Sequence, residues 1–106
     1  MSKVTILPSS TATVTGSAFE GLNDGLAIIP NNTFQATITG TGAVGATVLI
    51  QVSNDNVGWI TKGTITLSAT DTDTDHYALT EPWVYRRADL TAISGTSAAV
   101  VVTMGV

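Results

Sequence analysis

The chain has 106 residues, with eight Asp and Glu against four Lys and Arg and a formal net charge of −4. That length fits one domain around one core. The charge balance argues against a basic face for nucleic acid or an anionic membrane, and the absence of cysteine removes disulfides, thiolate metal sites and a Cys nucleophile. Charged residues are only 11% while hydrophobic ones reach 43%, so the composition is not that of a disordered chain. Nineteen Thr and eight Ser supply much of the polar surface.

Taken in order, the chain reads as a series of short strands. The opening residues, Met1 to Thr5, carry no apolar signal segment, and no apolar run approaches the ~20 residues of a membrane-spanning helix. A soluble protein made in a cytoplasm is the expectation. Residues 1–10 are expected as an N-terminal arm or first strand, with Val4 and Ile6 on one side. Thr11 to Thr15 alternate with Ala12 and Val14. Leu26–Ile29 is continuously apolar, which suits a central strand or one covered on both faces. Phe34, Ala36 and Ile38 then alternate with Gln35, Thr37 and Thr39. Ala46–Val52 is a second apolar segment. Ile65 and Leu67 alternate with Thr64, Thr66 and Ser68, and Tyr77 and Leu79 with His76 and Ala78. Ala98–Met104 is the last apolar segment, and Val101 lies on its other side, open to a further subunit. Period-two patterns of this kind mark half-buried strands, and the wealth of Thr, Val and Ile favours strand over helix.

Turn chemistry separates these patterns. Pro8-Ser9-Ser10, Asn23-Asp24-Gly25, Pro30-Asn31-Asn32, Gly40 to Gly45, Ser53 to Asn56 with Gly58, Asp71 to Asp75, and Ser94 to Ser97 all supply residues that tolerate positive φ or bond their own backbone. The expectation is an all-β, single-domain β-sandwich over residues 11–106, with eight or nine antiparallel strands. Jelly-roll and immunoglobulin-like connections are built from similar strands, and the pattern does not separate them.

Little in the chain suggests chemistry. His76 is the only histidine, and it falls on the polar side of its strand, so no nucleophile–base–orienter set can be assembled. Asp71-Thr72-Asp73-Thr74-Asp75 resembles the start of a calcium loop, but His76 stands where Gly is needed and Pro82 where the bidentate Glu belongs. A solvated acidic loop is the plainer reading. Glu20 and Glu81 are the only glutamates, and no spacing supports a glycosidase pair. Gly40-Thr41-Gly42-Ala43-Val44-Gly45 has the letters of a dinucleotide loop without the helix that would follow it. Asn31-Asn32-Thr33 is a sequon without a secretion signal. The expectation is therefore no enzyme, no catalytic residue, no cofactor and no metal.

The remaining candidates are contact residues. Trp83 and Tyr85 share one side of a strand, and Trp59 follows a Gly-containing turn. Such rings serve as core anchors, interface anchors or a sugar-stacking platform. Arg86 falls on the apolar side with Val84, Ala88 and Leu90, where a charge needs an internal partner or a contact to another subunit. Arg87 falls on the opposite side.

Two segments carry a family resemblance. One runs from Val48 to Leu67 around Gln51-Val52-Ser53-Asn54-Asp55-Asn56-Val57-Gly58-Trp59. The other runs from Pro82-Trp83-Val84-Tyr85-Arg86-Arg87 through Ile93-Ser94-Gly95-Thr96 to the apolar end of the chain. Together they cover about half the sequence and resemble small β-rich virion structural proteins of tailed bacteriophages. Arg86 departs from that pattern, which has an aliphatic residue there. The resemblance implies a jelly-roll-like head decoration, or cement, protein that is assembled in the host cytoplasm and sits on the capsid exterior. It implies partners in copies of itself (a trimer favoured over a dimer) and in the major capsid protein, with no nucleic acid or membrane. Trp59, Trp83, Tyr85, Arg86 and Arg87 are the expected contact residues, with residues 2–10 as a docking arm. A carbohydrate-binding or host-adhesion module, and a tail or baseplate component, are the other readings.

Overall fold

Alternation governs the longest strand. From Asn32 to Ile38 and again from Val44 to Val52, every even-numbered residue is buried, and no odd-numbered residue before Ser53 is. Side chains at period two stand on opposite faces of a sheet, so one face of this strand is the core and the other is polar. The computed structural model describes residues 3–20, 22–23, 27–28 and 31–105, with side chains described outside 21–30. The strands are β1 (Lys3–Ser10), β2 (Val14–Thr15), β3 (Phe19–Glu20), β4 (Leu22–Asn23), β5 (Ala27–Ile28), β6 (Asn32–Ser53), β7 (Ile60–Leu79) and β8 (Tyr85–Gly105).

Six of them form one antiparallel sheet in the order β1-β8-β6-β7, with β2 and β3 also on β8. β4 and β5 form a separate two-stranded ribbon. Ala46–Val52 and Ala98–Met104 therefore lie on the two inner strands, as their apolar character suggested. The described part of Leu26–Ile29 is not an inner strand of that sheet. Only Ala27–Ile28 of it is described, paired with Leu22–Asn23. Asp24, Gly25, Leu26, Ile29 and Pro30 of the expected turns and strand lie outside the described residues. Residues 3–10 are a strand of the sheet, paired with β8 from Lys3↔Gly105 to Ser10↔Val100.

The strand count differs from eight or nine similar strands. Three strands of 20 to 22 residues dominate, because three expected turns do not reverse the chain. Gly40–Gly42, Asp71 and Gly95–Ser97 lie side by side across β6, β7 and β8, where the register shifts between Thr39 and Ala43 and between Thr39 and Gly45. Gly42 (φ 73°), Asp71 (φ 67°), Gly95 (φ 120°) and Ser97 (φ 55°) adopt the left-handed backbone that turn chemistry permits. Here that geometry makes bulges, which bend and twist a strand without ending it.

The bend is large. A straight strand of 22 residues would run about 70 Å, yet the longest extent of the molecule is 45 Å. Tyr77 Oη donates to the carbonyl oxygen of Lys62 at 3.2 Å, although both residues belong to β7. The sheet thus folds across the bulge line, and its buried faces turn toward each other. Phe34, Ile38, Val100, Val102 and Met104 from one half join Val48, Ile50, Val52, Ile65, Leu67 and Leu90 from the other in one core. Each such enclosed side chain contributes roughly 1.5–3 kcal/mol. The accessible surface, 5467 Å², is close to the ~5,600 Å² that scaling gives for this mass.

Candidate contact face

The outer face of the half containing residues 44–70 holds most of the expected contact residues. In register, Gln51 of β6 lies between Thr61 of β7 and Arg87 of β8. Arg87 Nε donates to Gln51 Oε1 at 2.7 Å, and Gln51 Nε2 donates to Thr61 Oγ1 at 3.3 Å. The Arg87 guanidinium carbon stands 4.0 Å from the centroid of the Trp59 ring, a cation–π contact. Tyr85 lies two residues along the same face, opposite Ser53 and Glu20, and is half-buried. Asp89 continues the row and accepts a hydrogen bond from Thr15 Oγ1 at 3.1 Å. Trp59, Arg87 and Tyr85 thus lie on one outer face of the sheet. The chain places them there because β8 alternates: its odd residues in this stretch point out and Arg86, Ala88 and Leu90 point in.

Arg86 is elsewhere. It is the largest fully buried side chain, with 0% exposure, and its Nη2 donates to the carbonyl oxygen of Trp83. Burial pushes its pKa down, since a low-dielectric site disfavours the charged form. The side chain belongs to the interior and presents no surface to a partner, which corrects its reading as a contact residue. Its place on the apolar side was legible; its enclosure follows from the fold of the sheet over that side.

Trp83 lies at the end of the sheet, half-buried against the core. Its Nε1 donates to Glu81 Oε1 at 2.9 Å, and the same oxygen is 2.8 Å from Lys62 Nζ. Lys62 first and Trp83 second hold the Glu81 carboxyl below its ordinary value, and Glu81 holds the Lys62 ammonium above its own. A surface pocket of about 290 Å³ is lined by Asn54, Glu81, Pro82 and Trp83. The loop beside it is built by its own side chains. Ser53 Oγ accepts from the N–H groups of Asp55 and Asn56 at 3.2 and 3.0 Å, while Asp55 Oδ1 accepts from those of Val57 and Gly58, both at 2.9 Å. The Val57 and Gly58 bonds are the main causes that lower the Asp55 pKa. Asn54 Oδ1 accepts from Val84 N at 3.2 Å and ties this loop to the segment before β8.

The acidic run is spent on the backbone. Asp71 Oδ1 accepts from Gly42 N (2.7 Å), Asp73 from Ser68 N and Thr74 N (2.8 and 2.9 Å), and Asp75 from His76 N (2.8 Å). Among the described residues, no group of three or more His, Asp or Glu side chains is placed to hold a metal ion. His76 Nδ1 lies 3.6 Å from Asp75 Oδ1 on the exposed face.

Sequence reading missed Gln51 and Glu81 as the partners of Arg87 and Trp83, and Asn54 and Asp55 as the residues that bond the backbone beside them. Gln51 had a signal in its parity, opposite to Ile50 and Val52. Comparison with protein-family models, with curated proteins and with solved structures finds no match.

Proposed function

We propose that this chain is a bacteriophage virion structural protein, a capsid decoration or cement protein that assembles with copies of itself, as a trimer, and bridges major capsid subunits on the head exterior. The observation that carries this reading is the face formed by Trp59, Arg87 and Tyr85. Aromatic and Arg side chains are the groups that concentrate binding energy at protein interfaces. Here Arg87 is bonded to Gln51 and placed over the Trp59 ring, so less freedom is lost at these two side chains on binding. The surrounding surface is rich in Thr, and its low charge leaves weak long-range repulsion between copies. We read the folded sheet as a two-layer sandwich formed from one sheet. Both layers share the order β8-β6-β7, flanked by β1 in one and by β2 and β3 in the other. The action on a capsid would be mechanical: apolar and aromatic surface buried across subunit junctions adds cohesion against internal pressure.

The test is a titration of purified protein onto heads that lack it, with occupancy read after density-gradient separation. Wild-type protein co-bands with DNA-filled particles at many copies per particle. Arg87→Ala and Tyr85→Ala proteins, folded as judged by circular dichroism, show reduced occupancy. Equal occupancy of wild-type and variant proteins removes this face from the reading, and recovery of wild-type protein only as free material removes the virion role.

A carbohydrate-binding or host-adhesion module is the second reading, favoured by the pocket of Asn54, Glu81, Pro82 and Trp83. It requires Trp fluorescence to change on titration with a glycan panel, and Asn54→Ala to abolish that change.

A further inference from the structure

β7 is the outer strand of the sheet beyond β6, and among the described residues it pairs with β6 alone. Such an edge offers unpaired N–H and C=O groups to any strand that approaches. In an antiparallel ladder, alternate residues bond to the neighbour and the rest point away. The N–H of Ser68 goes to Asp73 Oδ2, that of Thr74 to Asp73 Oδ1 and that of His76 to Asp75 Oδ1. All three are even-numbered, so the even residues of β7 are the set that points away from β6. The Thr37 Oγ1 to Thr74 Oγ1 contact at 3.1 Å agrees with this, because side chains approach most closely across pairs that do not exchange backbone bonds.

Three of the outward N–H donors are therefore already occupied. Asp73 reaches back across the bulge at Asp71 to Ser68 and forward to Thr74, and Asp75 covers His76. At the other end of the strand, the outward carbonyl of Lys62 takes the Tyr77 hydroxyl at 3.2 Å. Among the described residues, the outward N–H groups of Thr64 and Thr66, and of Thr70 and Thr72 beside the bulge, have no side-chain partner. The opposite edge, β1, is blunted in another way. Pro8 has no N–H to offer, and the register breaks twice, between Thr5 and Leu7 and between Leu7 and Ser10.

We propose that β7 is a guarded edge: the side chains of Asp73 and Asp75 occupy the donors through which β7 of a second copy would add to the sheet, and copies are left to join through their faces. The second copy is the strand most suited to that addition. Residues 64–68, Thr-Ile-Thr-Leu-Ser, are uncharged, rich in β-branched residues and free of Pro, the composition that stacks strands between chains. This inference does not rest on the virion reading. It concerns what keeps identical chains from zipping together at any concentration.

Four proteins test it: wild type, Asp73→Ala/Asp75→Ala, Asp73→Asn/Asp75→Asn and Tyr77→Phe. Sedimentation velocity over a concentration series is expected to show new, larger species for the Ala pair, with at least a doubling of weight-average mass relative to wild type. The Asn pair loses the same charge but keeps an acceptor oxygen at each position, so it is expected to sediment like wild type. Association of the Asn pair to the same extent as the Ala pair would overturn the inference in favour of charge repulsion. A folded Ala pair that sediments like wild type would overturn it outright. Tyr77→Phe opens only the Lys62 carbonyl and is expected to associate less than the Ala pair; association equal to the Ala pair's would shift the guard from the carboxylates to Tyr77. Should the Ala pair fail to fold, amide hydrogen exchange of wild type decides. The Ser68, Thr74 and His76 amides are expected to exchange roughly 10- to 100-fold more slowly than those of Thr64 and Thr66, relative to their intrinsic rates, as bonds to a charged acceptor imply. Equal protection in the two sets would overturn the inference.

Discussion

The Tyr77 ring lies over Gly63, a residue fourteen positions earlier on the same strand. A Cβ built on Gly63 would stand 2.3 Å from Tyr77 Cε1 and 2.5 Å from its Cδ1. On a straight strand the two residues would be about 46 Å apart. The contact is the direct measure of how far the sheet folds, and it gives Gly63 a steric reason to be glycine.

Gly63→Ala is accordingly expected to destabilise the protein by about 1–3 kcal/mol, the range for overpacking. In a Tyr77→Ala background the same substitution meets no ring and is expected to cost much less. Urea unfolding of the four members of this cycle measures the coupling. An equal cost in both backgrounds would separate Gly63 from the ring.

The bulge line predicts an order between two glycines. Gly42 has φ 73° and nothing within 4 Å of an added Cβ, whereas at Gly95 (φ 120°) that atom would lie 2.8 Å from Val44 Cγ1 and 2.9 Å from the Ala43 carbonyl. Gly42→Ala then carries only the left-handed backbone penalty, about 1 kcal/mol. Gly95→Ala adds overlap with backbone that cannot move aside, and about 3 kcal/mol or more is expected. Thermal unfolding that ranks the two in reverse would contradict the described bend.

Adjacent arginines are expected to behave oppositely. Arg86→Ala empties a fully enclosed site and removes a donor to the Trp83 carbonyl, for an expected loss of about 3–5 kcal/mol. Arg87→Ala removes an outer-face contact with Trp59, for an expected loss below about 1 kcal/mol. Denaturant unfolding of both variants gives the comparison, and a costly Arg87→Ala with a mild Arg86→Ala would invert the assigned faces.

Asp55 gives the turn before β7 a pH dependence of known sign. Its folded pKa is depressed, chiefly by the Val57 and Gly58 N–H groups. Its contribution is therefore complete above the unfolded pKa, near 4, and falls away as pH drops through the folded value below that. The stability difference between wild type and Asp55→Ala is expected to be constant near neutrality and to shrink as pH falls below about 4. A difference that grows on acidification would refute this role.

The strands were legible because each has one apolar face. Phe34, Ala36 and Ile38 announced β6, as Ile65 and Leu67 announced β7. The bulge line was misread because Gly42, Asp71 and Gly95 use one backbone geometry for turning a chain and for bending it. A finer signal did exist. Apolar parity passes unbroken through two of the three sites, even on both sides of Gly40–Gly42 and odd on both sides of Asp71; on β8 it is even from Arg86 to Leu90, odd at Ile93, which packs against the core, and even again from Ala98 to Met104. A tight reversal has no need to keep that phase. For the contact face, alternation separated Arg87 from Arg86, but the Gln51 and Thr61 partners depend on register between strands distant in sequence, which no local pattern carries.

β8 occupies a particular place in the order of synthesis. It is the neighbour of β1, β2, β3 and β6 alike, so until residues 85–105 have left the ribosome, the pairings open to the described residues before them are the β6–β7 hairpin and the small β4–β5 ribbon. A hairpin alone is marginal in water, and its apolar face would stand open during the wait. The sheet closes only once β8 is available to pair with β1 and β6, strands far from it in sequence, and slow folding is the consequence. The nascent chain, more than the finished protein, is the form that must be kept from its neighbours on a crowded polysome.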